Sequence, residues 1–331
     1  MASSDFSKLT GLVVGLGSIG ERHVRNLQHL GVGELIVCRS RGLPPRGVDP
    51  DSFEVVIGLE AALLRRPDFA VICTPTSLHF AQALACIEAG VPTLIEKPAT
   101  TTREELSRLR AAAMAHGTLW SVAYMMRHHP LLKRAKALIR SGELGALRSF
   151  RSHWGEYLPD WHPWEDYRDS YAAKAALGGG ALLTLSHDLD LAAWFLGALD
   201  EVAVHRGYDS TLEVDVDVIS DVLLRSSTGV MGACHLNLIE RVARREYSLL
   251  FDAGSVQIDY YGSEMTVKRP TETSTLSLKQ FDRNDMFLAQ NDDFLQQVLR
   301  PGGWEALNEL SYAQANAVQH IVDQKGTSRY E

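Results

Sequence analysis

Short, continuous apolar runs alternate with stretches of helical periodicity over the first 125 residues of the chain. The apolar runs are LTGLVVG, ELIVC, FAVICTP, VPTLIEKP and TLWSVAY, and helices are predicted near residues 18–30, 77–89 and 102–116. Strands without polar–apolar alternation are typical of a parallel sheet that helices cover on both faces. The pattern predicts a doubly wound α/β domain, of the Rossmann type, over residues 1–125.

The period changes beyond about Gly145. After one more predicted helix, Ala181 to Phe195, the segment EVDVDVISDVLL alternates valines with acidic residues and predicts a strand with one face in water or covered by a partner. Further strands are predicted at VMGACHLNLIE, YSLLFDA, SVQIDYYG and MTVKR, before two C-terminal helices. Residues 126–331 are therefore predicted to form an α+β domain built on a large open, mostly antiparallel sheet. The C-terminal helices are candidates for packing back on the first domain.

Composition is that of a globular protein long enough for two domains. The chain has 331 residues, 45% of them hydrophobic and 22% charged, and no apolar run approaches the roughly 18 residues that a membrane span needs. The formal net charge of −8 disfavours nucleic acid as a partner, because that binding depends on clustered Lys and Arg. The N-terminal residues lack the pattern of a secretory signal, so we expect a cytoplasmic protein with no membrane partner.

The cysteines and histidines give no metal-site pattern. Cys38, Cys73, Cys86 and Cys234 are scattered and form no CxxC pair, so buried free thiols are predicted. No HExxH or comparable spacing occurs, and no metal is expected.

A GxGxxG sequence follows the first predicted strand and precedes the first predicted helix. It comprises Gly15, Gly17, Ser18, Ile19 and Gly20. In that context backbone N–H groups and the positive end of the helix bind a pyrophosphate, so these residues are predicted to bind a dinucleotide. A lone GxGxxG is a weak signal, and its position between a strand and a helix is what gives it weight.

The residues after the second strand bear on the choice of cofactor. An NAD site usually places an acidic residue about 20 positions after the glycines, to accept hydrogen bonds from the ribose hydroxyls. This chain has Arg39, Ser40 and Arg41 instead, two cations and a hydroxyl that suit a phosphate dianion. We therefore predict NADP rather than NAD, and a solvated basic loop without cofactor contacts is the alternative.

Five motifs occur in a fixed order along the chain. They are GLGSIG, CTPTSLH from Cys73, EKP at Glu96, RHHP at Arg127, and GGG followed by SHDLD. Together they resemble the glucose–fructose oxidoreductase, inositol dehydrogenase and rhizopine-catabolism family, Gfo/Idh/MocA, over nearly the whole chain. The segment GEYLPDWHPWEDYRDSYAAKAALGGG further resembles members associated with bacterial surface-sugar and nonulosonic-acid pathways.

The resemblance implies a role for each motif. It implies a Rossmann domain followed by an α/β domain whose open sheet packs against its counterpart in a homodimer or homotetramer. It places Lys97 near the nicotinamide and the reacting hydroxyl, with His187 as the acid/base residue. It also implies cofactor contacts at Thr74, Pro75, His79 and Glu96. Many relatives carry an aspartate three or four residues before the histidine, where this chain has Thr184 and Leu183, so Thr184 is included among the predicted catalytic residues.

The predicted helix around His187 supports two interpretations. Leu182, Leu185, Leu189, Ala192 and Leu196 form an apolar stripe at helical spacing. On a continuous helix His187 projects about 180° from this stripe, and Thr184 and Asp190 share its face. A hydrogen-bonded structural histidine is the usual outcome for such a helix. The glycine loop and EKP upstream favour the catalytic interpretation, since a histidine that titrates near neutrality suits proton transfer.

Aromatic residues are concentrated between His153 and Tyr171. The predicted substrate contacts are Arg127, Tyr157, Trp161, His162, Lys174 and Asp190. Aromatic rings pack on the apolar face of a sugar, and the polar groups suit hydroxyls or a carboxylate. A loop folded over the core, or an arm reaching across a dimer, is the alternative.

These observations predict an NAD(P)-dependent oxidoreductase. The reaction is hydride transfer between nicotinamide and a secondary alcohol or ketone of a sugar, a sugar derivative or a cyclitol. One alternative is glycosidase or lyase chemistry with a retained NAD. Another is a non-catalytic dinucleotide-binding sensor, which the missing aspartate makes plausible.

Overall fold

The computed structural model describes residues 5–39, 45–208, 210–300 and 302–324. The helices are α1 Ser18–His29, α2 Leu59–Leu63, α3 Thr76–Glu88, α4 Arg103–His116, α5 Pro130–Ser141, α6 Ala181–Thr184, α7 His187–Leu196, α8 Asn284–Val298 and α9 Glu305–Val322. The strands are β1 Thr10–Val14, β2 Glu34–Cys38, β3 Glu54–Val56, β4 Phe69–Ile72, β5 Thr93–Ile95, β6 Trp120–Val122, β7 Leu147–Tyr157, β8 Leu199–Gly207, β9 Ile219–Ser226, β10 Met231–Asn237, β11 Ile239–Phe251, β12 Gly254–Asp259, β13 Glu264–Lys268 and β14 Thr273–Ser277.

The chain forms two compact units. The first comprises Met1–Met125 and Arg283–Asn316, and the second comprises Met126–Asp282 and Ala317–Glu331. The first unit thus takes α8 and most of α9 from the far end of the sequence. The predicted α/β and α+β architectures are both confirmed.

The first unit contains a parallel sheet in the order β3-β2-β1-β4-β5-β6. The chain reverses direction across the sheet between β1 and β4, which is the point where ligands bind in doubly wound folds. The interior strands are buried along almost their whole length, as their apolar runs predict. Strand β3 and helix α2 were not predicted, because β3 has only three residues, two of which are exposed.

Helix α8 completes the core of the first unit. Phe294 and Leu295 of α8 join a buried cluster that includes Val13 of β1 and Phe69 of β4. The rings of Phe69 and Phe294 meet edge to face, with their centroids 6.1 Å apart. Helix α8 therefore belongs to the first unit by its packing.

The side chain of Asn308, on α9, hydrogen-bonds the main chain at the β6 edge of the parallel sheet. β6 is an edge strand, which leaves backbone groups without a neighbouring strand. Asn308 Oδ1 accepts the N–H of Trp120 at 3.0 Å, and its Nδ2 donates to the carbonyl of Thr118 at 2.9 Å. One buried amide thus satisfies two main-chain groups that a further strand would otherwise pair.

The second unit contains a sheet of eight strands in the order β14-β13-β12-β11-β7-β10-β9-β8. The pairing is antiparallel except between β10 and β7. The central strand β7 was not predicted, and it places Trp154 and Tyr157 on a strand rather than in the aromatic-rich loop expected from the sequence. Its mixture of Arg, Ser and His hides the alternation, because one of its faces is polar.

The segment EVDVDVISDVLL was interpreted incorrectly over its first half. Strand β9 begins only at Ile219, so Val214, Val216 and the intervening acids precede it. Asp217 is 6% exposed instead of wetted, because its carboxylate accepts the N–H of Leu182 at 3.0 Å and the hydroxyl of Ser220 at 2.7 Å. The Asp217 side chain thus holds the segment before β9 against the start of α6.

The predicted helix from Ala181 to Phe195 is two helices. α6 ends at Thr184, and α7 begins at His187 after a break at Leu185 and Ser186. The predicted apolar stripe is buried, but His187, Thr184 and Asp190 are also at most 5% exposed. A single helical wheel does not describe this segment, because the helix is interrupted at Leu185 and Ser186.

One face of the eight-stranded sheet, here called the open face, is free of helices from the described part of its own unit. The other face packs on α7, where the rings of Phe150 and Phe195 lie 5.3 Å apart. Residues of the open face alternate with these buried ones. They include Arg151, His153, Asp221, Leu223, Met231, His235, Ser248 and Leu250, all exposed or half-buried.

We predict that Asn308→Ala lowers the free energy of unfolding by about 1–3 kcal/mol, since it leaves the buried N–H of Trp120 without an acceptor. Chemical denaturation measures the change. The control is Leu310→Ala, on the same helix and 53% exposed, for which a change within about 0.5 kcal/mol is expected. Equal effects of the two substitutions would show that the amide does not stabilise the sheet edge.

Candidate active site

The glycine loop lies between β1 and α1 in the first unit. Gly15 has φ +94°, a conformation that residues with a Cβ rarely adopt. A Cβ on Gly20 would lie 2.1 Å from the carbonyl oxygen of Gly15, so this glycine permits α1 to approach the strand. Gly17 caps α1 with no side-chain hydrogen bond, and a Cβ there would meet nothing within 4 Å. Open space beside the helix N-terminus is what a bound pyrophosphate requires.

The basic segment after β2 is described only in part. Arg39 is half-buried, and its N–H lies 3.4 Å from the carbonyl of Val56. Ser40 and Arg41 lie outside the described residues. The predicted contacts with a 2′-phosphate therefore remain a prediction.

His79 joins the two loops that follow β4 and β5. Its Nε2 is 2.7 Å from the carbonyl oxygen of Thr74, and its Nδ1 is 2.9 Å from that of Pro98. The ring is 1% exposed, and burial lowers the pKa of His79. Both ring nitrogens face main-chain carbonyl oxygens, so His79 helps to hold the two loops together, and its contact with the cofactor remains a prediction. Thr74 donates its hydroxyl to Gln82 at 2.6 Å, and Pro75 precedes the first residue of α3.

Glu96 and Lys97 follow β5 at the carboxyl edge of the same sheet. The Glu96 carboxylate, 8% exposed, lies 3.0 Å from Nε2 of His23 and accepts the N–H of Lys97 at 3.2 Å. Burial by itself raises the pKa of Glu96, but the hydrogen bond and charge interaction with His23 outweigh it and lower the pKa. Lys97 is half-buried and precedes a cis peptide bond to Pro98.

His23 and Asn291 were missed by the sequence analysis. His23 is fully buried on α1, and its Nδ1 is 3.1 Å from Oδ1 of Asn291 on α8. A histidine three residues after the last glycine of the loop is a local signal. Nothing local indicates Asn291, which is 268 positions away.

His187 lies at the first position of α7 in the second unit, and Thr184 ends α6. The His187 ring lies beside Trp154 of β7, with centroids 6.3 Å apart and planes inclined by 28°. The break between the helices places both predicted catalytic side chains at adjoining helix ends. The structure thus brings Thr184 and His187 to one place in this unit.

Arg127 and Asp190 bind each other. Nε and Nη2 of Arg127 donate to the two oxygens of Asp190 at 2.8 and 2.7 Å. Asp190 is fully buried, whereas the Arg127 side chain is 18% exposed. Burial raises the pKa of Asp190, and Arg127 opposes that rise. Of these two predicted substrate contacts, Arg127 is the more accessible, and Asp190 holds its guanidinium in place.

The other predicted substrate residues lie on or after β7. Short 3₁₀ turns at Leu158–Asp160, Tyr167–Asp169, Tyr171–Ala173 and Ala175–Leu177 follow the strand. Tyr157 lies under the guanidinium of Arg241, at 4.2 Å, and Trp161 is half-buried. His162 pairs with Glu165 at 2.8 Å and Lys174 with Asp169 at 2.9 Å. His162 and Lys174 thus already have acidic partners in their own segment, and a ligand would have to displace Glu165 or Asp169 to bind them.

The described residues give three further findings. They contain no group of three or more His, Cys, Asp or Glu arranged to hold a metal ion. None of the helices they form is long and apolar enough to cross a bilayer. The four cysteines are buried and free, as predicted.

Two family models match the chain. One, described as an oxidoreductase family with an NAD-binding Rossmann fold, matches residues 9–124. The other, described as the GFO/IDH/MocA C-terminal domain, matches residues 132–257. Together they cover more than half of the chain, which confirms the resemblance deduced from the motifs.

Curated relatives match over part of their length. A dTDP-3,4-didehydro-2,6-dideoxy-alpha-D-glucose 3-reductase of Saccharopolyspora spinosa is 31% identical over 62% of this chain and 60% of its own. An inositol 2-dehydrogenase of Rhodococcus erythropolis is 34% identical over 43% of each chain.

Solved structures match over almost the whole chain. GenD2 from gentamicin A biosynthesis, in complex with NAD, has a TM-score of 0.79 at 24% identity, covering 98% of this chain and 94% of its own. A 3-ketoreductase from Actinomadura kijaniata, in complex with NADP and TDP-benzene, has a TM-score of 0.78 at 22% identity, covering 95% and 97%. At these identities the likeness establishes the fold.

We predict that two substitutions in the glycine loop affect different properties, one the affinity for the dinucleotide and the other the melting temperature. Gly17→Ala leaves the melting temperature unchanged, because its Cβ enters open space, but weakens dinucleotide binding at least about tenfold, since that space is needed by the ligand. Gly20→Ala lowers the melting temperature, because its Cβ overlaps the Gly15 carbonyl. Thermal unfolding and fluorescence titration with NADH and NADPH measure both. Unimpaired cofactor binding by Gly17→Ala contradicts the placement of the pyrophosphate.

Proposed function

This chain belongs to the GFO/IDH/MocA oxidoreductase family, and we propose that it transfers hydride between a nicotinamide cofactor and a secondary alcohol or ketone of a carbohydrate-like molecule. The observation that carries the proposal lies within the first unit. The glycine loop after β1 and Lys97 after β5 both lie at the carboxyl edge of one parallel sheet, with only β4 between their strands. Ligands of doubly wound sheets bind along that edge.

The open glycine loop fits a dinucleotide, and Gly15, Gly17 and Gly20 would hold its pyrophosphate. The nicotinamide supplies or accepts the hydride when bound. The protein has to orient the substrate carbon and move the proton of its hydroxyl. Lys97 Nζ stabilises negative charge on the substrate oxygen, and the imidazole of His187 takes that proton in oxidation or returns it in reduction.

Glu96 orients Lys97 without taking part in proton transfer. Its carboxylate accepts the Lys97 N–H and lies against His23, which fixes the main chain just before the reacting side chain. Thr184 is proposed to hydrogen-bond a substrate hydroxyl. It cannot carry charge, so the proton is left to Lys97 and His187.

The substrate is proposed to be a sugar, a sugar derivative or a cyclitol. The names of the two relatives, a dTDP-sugar reductase and an inositol dehydrogenase, support this class. Trp161 and Tyr157 supply aromatic surface, and Arg127, held by Asp190, supplies a fixed cation for an oxygen-rich ligand.

NADP is proposed as the preferred cofactor. The support is the pair of arginines at 39 and 41 in place of an acid after β2, since charge-assisted hydrogen bonds favour a phosphate dianion. Titration with NADP and with NAD gives the ratio of the two dissociation constants, and tighter binding of NAD contradicts this preference.

We also propose that two copies associate through the open face. Leu223, Met231 and Leu250 are each more than half exposed there. Arg151, on β7, has no carboxylate partner among the described residues of its own chain, while Glu246 on β11 and Asp259 on β12 supply carboxylates on the same face. A face with apolar, cationic and acidic positions is self-complementary, as a twofold interface requires.

We predict that Lys97→Ala and His187→Ala each lower kcat about 100-fold or more, because each removes a group that manages the substrate proton or charge. Cofactor affinity changes less than about threefold. The assay follows NADPH or NADH absorbance over a panel of inositols, levoglucosan and dTDP-sugars. Lys133→Ala and His116→Ala, which replace exposed residues on helices, are the controls and retain full turnover. Undiminished turnover in either active-site variant rules out the assigned role.

We predict that Leu223→Asp combined with Leu250→Asp halves the mass of the assembly, giving monomers from a dimer or dimers from a tetramer, because it places charges in the apolar part of the open face. Sedimentation velocity measures the mass. Met114→Asp, at a 57% exposed apolar position of the first unit, is the control and keeps the wild-type mass. A monomeric wild-type protein, or an unchanged mass of the double variant, contradicts this interface.

A further inference from the structure

A buried guanidinium lies next to the helix that begins with His187. Arg245, on β11, is 2% exposed. Its Nη2 is 2.5 Å from Oδ1 of Asp188, a fully buried carboxylate, and its Nε donates to the hydroxyl of Tyr247 at 2.6 Å. That hydroxyl in turn donates to Asp188 Oδ1 at 3.0 Å. Asp188 is the residue after His187, so this cluster holds the first turn of α7.

The same guanidinium lies over the ring that His187 contacts. Cζ of Arg245 is 3.5 Å from the ring centroid of Trp154. The Trp154 ring is inclined by 28° to the His187 imidazole, with the centroids 6.3 Å apart. Tyr260 flanks Arg245 at 4.9 Å. Cation–π contacts of this kind strengthen when they are removed from water, as here.

Arg245 therefore acts on His187 by two routes, one through the main chain at Asp188 and one through the indole of Trp154. We propose that Arg245 is a positioning residue that fixes both the backbone and the ring plane of His187. The proposal rests on the proposed function in one respect, namely that His187 moves the substrate proton.

The local structure of α7 explains why such support is needed. A helix start is usually fixed by a side-chain cap, but Ser186 at this position makes no capping hydrogen bond to the first turn. The preceding break at Leu185 and Ser186 removes the continuity with α6. Without Arg245 the first turn would be held by apolar packing, by the Tyr247 hydroxyl on Asp188 and by the Arg127–Asp190 pair three residues beyond His187. The residue next to His187 would lose its ion pair.

The charges around the cluster leave Asp188 dependent on Arg245. Burial first, and the charge of Arg245 second, lower the pKa of His129 to about 4, so this neighbour of Arg245 is uncharged at neutral pH. Arg245 itself remains charged, because the attraction of Asp188 and the two tyrosines outweighs burial and raises its pKa. Among the described residues, Arg245 is the cation that forms an ion pair with Asp188.

Turnover and histidine NMR test the proposal together. Proteins labelled with ¹⁵N-histidine are prepared as wild type, Arg245→Met, Trp154→Leu and Trp154→Phe, and His187→Gln identifies the ring signals of His187. Arg245→Met and Trp154→Leu are expected to shift or broaden those signals and to lower kcat about 10- to 100-fold, with KM within about threefold. Trp154→Phe, which keeps an aromatic plane, restores most of the turnover. The control is Arg148→Met, which removes an exposed arginine–Asp252 pair at the start of β7 and changes neither readout.

The outcomes separate this proposal from the proposed function. Wild-type protein without turnover on the sugar panel would refute the function, while the NMR signals still report whether Arg245 and Trp154 hold His187. Unchanged His187 signals and unchanged kcat in folded Arg245→Met overturn the positioning role and leave the function standing. If Arg245→Met fails to fold, Trp154→Leu decides, because it leaves the Arg245–Asp188 pair intact.

Discussion

A carboxylate can be buried in a protein only if a cation or hydrogen-bond donors meet it, and this constraint determines how the reacting residues are held. Glu96 precedes Lys97 and lies against His23, and Asp188 follows His187 and lies against Arg245. A third buried acid, Asp190, is three residues beyond His187 and holds Arg127. Lys97, His187 and Arg127 are thus each adjacent to a buried acid or bound by one. The fold supplies the partner from another element, which makes the geometry of the site a property of the whole unit.

The sequence was sufficient where a signal is local. The parallel sheet, the glycine loop and the lysine after β5 are all encoded by short runs whose apolar pattern or glycine spacing is legible without the rest of the chain. The family followed from the order of five short motifs, and the family models confirm it. The burial of the stripe from Leu182 to Leu196 was likewise predictable, because helical spacing depends only on neighbours.

The sequence did not predict contacts between residues far apart in the chain, or a strand with one polar and one apolar face. His23 meets Glu96 across 73 positions, and Arg245 meets Asp188 across 57, so no window of sequence contains both members of either pair. Strand β7 was missed because its outward face is polar, and its aromatic residues then looked like a binding loop. The break between α6 and α7 was missed because neither Leu185 nor Ser186 is a residue that usually ends a helix, such as Gly or Pro.

The dependence of the first unit on α8 has a consequence for synthesis on the ribosome. Phe294 and Leu295 complete the core around Phe69, yet they are translated more than 150 residues after β6. At a translation rate of about 5–20 residues per second, the apolar surface of the first unit stays exposed on the order of ten to forty seconds before α8 is made. During this interval the edge strand β6 also lacks the hydrogen bonds from Asn308. The emerging chain therefore exposes both an apolar surface and an unpaired strand edge to chaperones and to other nascent chains.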